Sequence, residues 1–283
     1  MDFVPAAGLI RDGFQKGYAV PSFCVWNAET MSAVLEVAAD CRAPVLLMCG
    51  PGEFPVLPPA MMAGVARVAM ARRPARAAFH LDHGDSVDQV KECLAAGFTS
   101  VMLDFSRRPV AVNIEALREV AALAKPEGAS VEGELGAVGR ADNVSVEGSR
   151  TSELTDPEEA RRYVEATGVD MLAVSIGNAH GIYTQRPCLD FARLEAIRDA
   201  VALPLVLHGG SGTPEEDLKK AIALGIAKVN VASELTRAVR ESLHGQWDAA
   251  DRSWMPVQIA RAMSDYAAIV EKWIRMCGAA GRA

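Results

Sequence analysis

Eight short apolar runs, each followed by a segment of helical patterning, recur along this 283-residue chain. The runs are Ala19–Phe23, Val45–Cys49, Ala77–Leu81, Ser100–Leu103, Ser130–Gly133, Met171–Ser175, Leu205–Leu207 and Lys228–Val231. Most are apolar throughout, as strands covered by helices on both faces are. The helical segments are Thr30–Ala39, Pro59–Arg72, Ser86–Ala95, Val112–Ala124, Asp156–Ala166, Phe191–Ala200, Pro214–Ala223 and Ser233–Leu243. Pro59 suits a first helical turn, and Ser86 is placed as an N-cap. Eight such units predict a (β/α)8 TIM barrel in which residues 1–283 form one domain. A further pattern over Ile259–Met276 predicts an extra C-terminal helical segment. A doubly wound open sheet shares the alternation, but the count of eight favours the barrel.

The polar residues fall where such a barrel does chemistry. Asp82, His83, Asp104, Glu134, His180, His208 and Asn230 all lie at or just past the C-terminal ends of predicted strands. Three of the five histidines, His83, His180 and His208, end an apolar run and are followed at once by glycine. Three imidazoles with one position left open make a catalytic zinc arrangement. The bland reading of any one of them is a hydrogen-bonded core histidine; three alike in one chain favour the metal. Asp82, beside the first, is a carboxylate positioned for proton transfer, with a turn cap as the structural alternative. Asp104 and Glu134 each read equally as a second cation site, as support for a ligand imidazole, or as a cap. His80 shares a strand face with Asp82 and reads as packed behind the site.

Two turns read as anion sites, the first of them glycine-rich. Gly209-Gly210-Ser211-Gly212 follows the seventh run, and Asn230-Val231-Ala232-Ser233 follows the eighth; each leads into a helix. Backbone N–H groups at such turns hold phosphate, with Gly181 as a third contributor. The polar stretch Leu135–Leu154 reads as a long loop over the site.

Composition closes off other classes. A formal charge of −7 is the opposite of a nucleic-acid footprint. No stretch approaches the ~18 uncharged apolar residues of a membrane span, and Asp2, Arg11 and Asp12 interrupt any secretory pattern. Six cysteines without framework or CxxC spacing fit a reducing, cytoplasmic compartment.

The motifs HLDHG (80–84), SVMLDFS (100–106), VEGELGAVG (131–139), DPEEARRYVEATGVDMLAVSIGNAHGIY (156–183), LVLHGGSGTP (205–214) and IAKVNVASEL (226–235) span nearly the whole chain. In them it resembles the class II, zinc-dependent ketose-bisphosphate aldolases, the tagatose/fructose-bisphosphate branch in particular. The resemblance implies an aldehyde-lyase that reversibly cleaves a ketose phosphate or bisphosphate to dihydroxyacetone phosphate and an aldehyde. It implies Zn2+ on His83, His180 and His208, stabilising the enediolate as a Lewis acid, and Asp82 as the acid/base at the cleaved carbon. It implies phosphate contacts from Gly181, Gly209, Ser211 and Ser233, and substrate contact from Asn230. Glu134 matches a position that approaches the metal, and Asp104 a secondary site for a divalent or monovalent cation. Asp142 or Glu134 would exchange the proton on the nucleophilic carbon. A homodimer or homotetramer is implied as well.

The chain also departs from the family pattern. Cys24 stands where asparagine is usual, and Gly50 and Glu53 stand where the loop after the second strand carries small hydroxyl residues. Thr184, Gln185 and Arg186 replace a segment that often carries lysine, and GRADN leaves Asp142 as the one acid in its piece of the loop. Arg107 and Arg108 are an unusual pair of cations. The metal and phosphate motifs are intact, so the departures point to an acceptor aldehyde other than glyceraldehyde 3-phosphate. Three rival readings stand beside this one. A non-catalytic accessory subunit of a second barrel protein conflicts with the intact Asp82 and histidines. A metal-dependent hydrolase would show an HxH pair where this chain has PSFCV. A Schiff-base aldolase would need Lys228, the lysine within a predicted strand.

Overall fold

The computed structural model describes residues 2–141, 153–183, 185–249 and 252–283. Eight parallel strands close a barrel: β1 (Val20–Cys24), β2 (Val45–Cys49), β3 (Ala77–Gly84), β4 (Ser100–Leu103), β5 (Ser130–Leu135), β6 (Met171–Val174), β7 (Leu205–Leu207) and β8 (Ile226–Val231). Each pairs with its neighbours in sequence, and β1 closes the ring on β8 in the register Ser22 to Asn230. The fold expected from the alternation is the one observed.

Helix α1 (Ala6–Lys16) precedes the barrel. Helices α2 (Ala28–Asp40), α3 (Pro59–Arg72), α4 (Val87–Ala96), α5 (Val110–Ala124), α6 (Pro157–Thr167), α7 (Phe191–Ala200), α8 (Glu215–Ala223) and α9 (Ser233–Asp248) follow the strands in turn, and α10 (Met255–Met276) completes the chain. Their starts are set by local chemistry. Asn27 and Thr30 form a reciprocal cap on α2, and the side chains of Ser86, Asp156 and Asp190 accept backbone N–H groups at the starts of α4, α6 and α7. Helix α9 runs five residues past the expected Leu243, to Asp248. Helix α10 begins at Met255 rather than Ile259, with Pro256 in its first turn, where a missing N–H costs nothing.

Helix α1 was not among the expected elements. It buries Ala6, Leu9, Ile10 and Gly13, one face at helical spacing. Val4 N–H donates to Ala77 O and Ala7 N–H to Ser130 Oγ, both at 2.9 Å. Ala77 and Ser130 are the first residues of β3 and β5, so this segment covers the N-terminal end of the barrel. The C-terminal end is the one available for a site. Helix α10 docks on its own barrel: the buried Trp273 donates its indole N–H to Glu234 of α9 (2.8 Å), Lys272 reaches the other oxygen (2.7 Å), and Tyr266 donates to the carbonyl of Cys24 (2.7 Å).

Two two-residue strands lie above the barrel. Gly139–Arg140, from the loop after β5, pairs in parallel with Ala179–His180, from the loop after β6. Residues 142–152 of the expected loop, including Asp142, lie outside the described residues. No described helix is long and apolar enough to cross a membrane.

Candidate active site

Strand β3 carries the neighbouring pair Asp82 and His83 into the mouth. In a regular strand, successive side chains face opposite sides. Here the register against β4 shifts between Leu81 and Gly84, so that β3 holds one more residue than its partner. His83 lies in the left-handed region at φ 47°. This bulge turns both side chains to the C-terminal mouth. Gly84 is required within it, because a Cβ there would come within 2.6 Å of the Met102 carbonyl oxygen. Backbone held in that region by a histidine is strain of the kind found at functional sites.

His83 and His208 converge from β3 and from the end of β7. His180 reaches the same point differently from the sequence expectation: it does not end β6 but sits in the short strand beyond it. That loop is pinned from two sides. Asn178 donates to the His208 carbonyl (3.0 Å), and Tyr183 Oη accepts from Ala179 N (2.8 Å) and donates to Gly209 O (3.2 Å). Gly209, at φ 62°, leaves no room for a side chain against the Ala179 carbonyl. The backbone of the loop after β7 thereby seats His180.

The three ring nitrogens face one another. His83 Nε2 lies 3.2 Å from His180 Nε2 and 2.9 Å from His208 Nδ1. Nitrogens bound to one tetrahedral zinc ion stand about 3.3 Å apart, so the set needs only small adjustment. The far nitrogens of two rings are held by carboxylates: His83 Nδ1 by Asp104 Oδ2 (2.7 Å) and His208 Nε2 by Glu132 Oε1 (2.8 Å). Such partners fix ring orientation and aim the opposite lone pair at a metal. Asp104 is itself fixed by the N–H and hydroxyl of Ser106. The buried Oε2 of Glu134 has no hydrogen-bond partner and lies 3.6 Å from His208 Nδ1 and 4.0 Å from His83 Nδ1. An orphaned carboxylate oxygen beside three converging imidazoles fits a bound cation. His83, Asp104 and Glu134 form an overlapping second group of ligand atoms.

Electrostatics agree with that donor set. Burial opposes a charge on His83, but Asp82, Asp104 and Glu134 outweigh it and push its imidazole up to about 10. Burial, then the charge on His83, drives His180 down to about 4 and His208 well below the usual range. Burial raises Glu134 to about 8 against the pull of His83. One charged and two neutral imidazoles share the cluster, and a divalent ion would replace the charge.

Beneath the mouth lies a layer of which the sequence reading assigned only His80, as packed behind the site. Lys228 Nζ, fully buried, pairs with Glu132 Oε2 (2.7 Å) and lies 3.4 Å from His80 Nε2; His80 Nδ1 meets Ser100 Oγ at 2.8 Å. The signal was present: His80 and Asp82, Glu132 and Glu134, Lys228 and Asn230 are each two residues apart on one strand, so each pair shares a face. The deeper member of each pair forms a charged floor and the upper one faces the site. Lys228 is thus ion-paired in the floor, which counts against its use as a Schiff-base lysine.

The other expected residues are placed as follows. Asn230 Nδ2 donates to Asp82 Oδ1 (2.8 Å). Ser211 Oγ accepts the backbone N–H of Glu234 (3.2 Å), tying the loop after β7 to the start of α9, whose first residue is Ser233. Gly181, at φ 107°, directly follows His180. These residues gather on the β6–β8 side of the mouth. Arg186 is spent on Glu216 (2.6 Å) and Asp217 (2.9 Å) at the surface.

Comparison with known proteins gives the family and the fold. The family model for fructose-bisphosphate aldolase class-II matches residues 4–282. The YdjI aldolase from Escherichia coli K12 superposes with a TM-score of 0.87 at 30% identity, covering 100% of both chains. A candidate fructose-1,6-bisphosphate aldolase from Coccidioides immitis gives 0.86 at 30% identity, over 98% of this chain and 97% of that one. A fructose-bisphosphate aldolase from Campylobacter jejuni gives 0.82 over 99% and 97%, though at 21% identity that likeness speaks to the fold alone. With the motifs, the barrel and a match over nearly its full length in accord, this chain belongs to the class II fructose-bisphosphate aldolase family and is an aldehyde-lyase.

Proposed function

We propose that this enzyme is a zinc-dependent aldolase that cleaves a phosphorylated ketose to dihydroxyacetone phosphate and an aldehyde, reversibly. The convergence of His83 Nε2, His180 Nε2 and His208 Nδ1 beside Asp82 carries this reading. Those three nitrogens would hold the ion, with Glu134 Oε2 close by. A bound zinc ion supplies a Lewis acid at the donor's carbonyl oxygen.

This chain's own residues do the rest. In the cleavage direction Asp82 accepts the proton of the hydroxyl on the carbon that becomes the aldehyde. The electrons of the broken carbon–carbon bond pass to the donor fragment, and a proton added to that carbon completes dihydroxyacetone phosphate. Glu134 is the described candidate for delivering it; Asp142 is the other. Asn230 orients Asp82 through its 2.8 Å hydrogen bond. N–H groups at Gly181, Gly209 and the start of α9, with the hydroxyls of Ser211 and Ser233, would hold the donor's phosphate. Asp104 supports His83, or serves a second cation.

The same reading treats residues 1–283 as one working domain, with a homodimer or homotetramer as its assembly. Six free cysteines support a reducing, cytoplasmic location. The test is condensation of dihydroxyacetone phosphate with a panel of aldehydes, before and after chelation. Activity lost with the metal and restored by zinc is the expected result; activity indifferent to chelation contradicts the proposal.

A further inference from the structure

The mouth has a second side that the metal and the phosphate loops do not use. Asp82 stands between the imidazole cluster and Asn230 of β8, whose amide donates to it, and the sector beyond Asn230 is built from β8, β1 and the loop after β2. That loop rests on Asp82 itself: Gly50 lies so close to the Asp82 carbonyl oxygen that no side chain fits between them. Three residues on, Glu53 folds back, with its N–H on Gly50 O (3.1 Å) and its Oε2 accepting from Gly50 N (2.8 Å). Its Oε1 accepts from the Cys24 thiol at 3.8 Å. Two acids, Glu53 and Asp82, therefore stand on one side of the mouth. Among the described residues neither has a lysine or arginine partner; their ionisable contacts are the Cys24 thiol at Glu53 and His80 Nε2, 4.0 Å from Asp82.

A second observation points to what this sector binds. Ser22 Oγ and Asn230 Oδ1 are buried and have no hydrogen-bond partner. They sit on β1 and β8 at paired register positions, so they share the inner side of the barrel. Buried polar atoms without partners call for one, whether water, an ion or a group of a bound molecule. A hydroxyl can donate to Asn230 Oδ1 and either donate to or accept from Ser22. The carboxylate of Glu53 has lone pairs left to accept from hydroxyls and no donor to offer a phosphate. Burial raises Glu53, and Asp82 adds to the shift; burial first, then Glu53 and Asp82, holds the Cys24 thiol well above its usual range, as a neutral donor. Another anion placed here would meet like charges, with no lysine or arginine paired to them among the described residues.

We propose that Glu53 is a specificity-determining residue that makes the β8–β1–β2 side of the site accept an uncharged, hydroxyl-bearing aldehyde and reject one carrying a phosphate. This rests on the aldolase reading above, in which the aldehyde carbon lies at Asp82. Its chain then extends away from the metal into the sector that Glu53 borders.

The test compares D-erythrose with D-erythrose 4-phosphate as acceptors for dihydroxyacetone phosphate, using zinc-loaded enzyme. In the wild type kcat/KM should favour the uncharged sugar. Glu53→Gln should move that ratio toward the phosphorylated one by about tenfold or more, mainly through KM. Glu53→Ser provides a second removal of the charge. Reading a ratio cancels any general loss of activity in either variant. A wild type that prefers the phosphorylated aldehyde overturns the proposal even if neither variant folds, and so does a ratio unmoved in both variants. Wild-type enzyme that neither condenses dihydroxyacetone phosphate with any aldehyde nor exchanges its C–H hydrogens contradicts the parent reading instead, so the two failures are distinct.

Discussion

Asp82 and His83 are adjacent in sequence but belong to different halves of the chemistry. One meets Asn230 and, in the proposed reaction, would meet the substrate's hydroxyl; the other joins the imidazole cluster. Replacing Asp82 with Asn should therefore leave zinc bound and lower cleavage by about 10²–10⁴-fold, the usual worth of a positioned acid/base. Metal analysis beside steady-state kinetics checks this, and a variant that cleaves at the wild-type rate would reduce Asp82 to a structural role. The imidazoles make a pH prediction. His83 is raised to about 10 in the metal-free cluster, so it is protonated at neutral pH and must lose that proton to ligate a metal. Below that value zinc affinity should rise with pH by up to about tenfold per unit as this one proton is released. Calorimetry in buffers of different ionisation enthalpy reads that proton directly; zinc uptake with no proton released would contradict the assignment of His83.

Between elements, what matters is the layering inside the barrel. Strands β3, β5 and β8 each place a polar side chain at the mouth (Asp82, Glu134, Asn230) and a second, two residues earlier, in the floor. Glu132 links the layers, because it binds Lys228 below and aims His208 above. Lys228→Met should leave a buried carboxylate unpaired, at a cost of about 3–5 kcal/mol to folding. Because Glu132 also orients His208, zinc affinity should fall as well, by about 10–100-fold. Denaturant unfolding of metal-free protein and competition with a chelator measure the two effects separately. A variant that loses stability but keeps its zinc affinity would show that the floor supports the barrel and not the metal site. The bulge in β3 is the other local device, and it was not legible in advance. HLDHG announces a strand end, but a one-residue register shift depends on the partner strand, which the local sequence does not contain.

For the whole molecule, the eightfold alternation was enough to specify the barrel, because strands buried on both faces and amphipathic helices have few other ways to pack. The placement of Asp82, His83, His208 and Asn230 at the C-terminal ends of strands was legible for the same reason. His180 was legible as a residue but not as a position: its two-residue strand exists through pairing with Gly139–Arg140 and through Tyr183 and Asn178, contacts between loops distant in sequence. Helix α1 went unassigned although its spacing is regular, since the eight-unit count was complete without it. Glu132 went unassigned, and Glu53 was marked only as a departure from the family pattern, because a carboxylate inside a strand or a loop carries no local mark of what it faces. Their roles come from closure of the barrel, which brings β5 to β7 and β8 and the loop after β2 to the end of β1.

The central claim is that a metal held by three histidines activates a dihydroxyacetone-phosphate donor beside Asp82. It is tested most directly by incubating zinc-loaded enzyme with dihydroxyacetone phosphate alone in deuterated water and following the C–H signals by NMR. The account predicts exchange of one C–H hydrogen that stops on chelation, returns with zinc and is lost in His208→Ala. Absence of exchange from protein with zinc bound, or exchange that persists without metal, would contradict it.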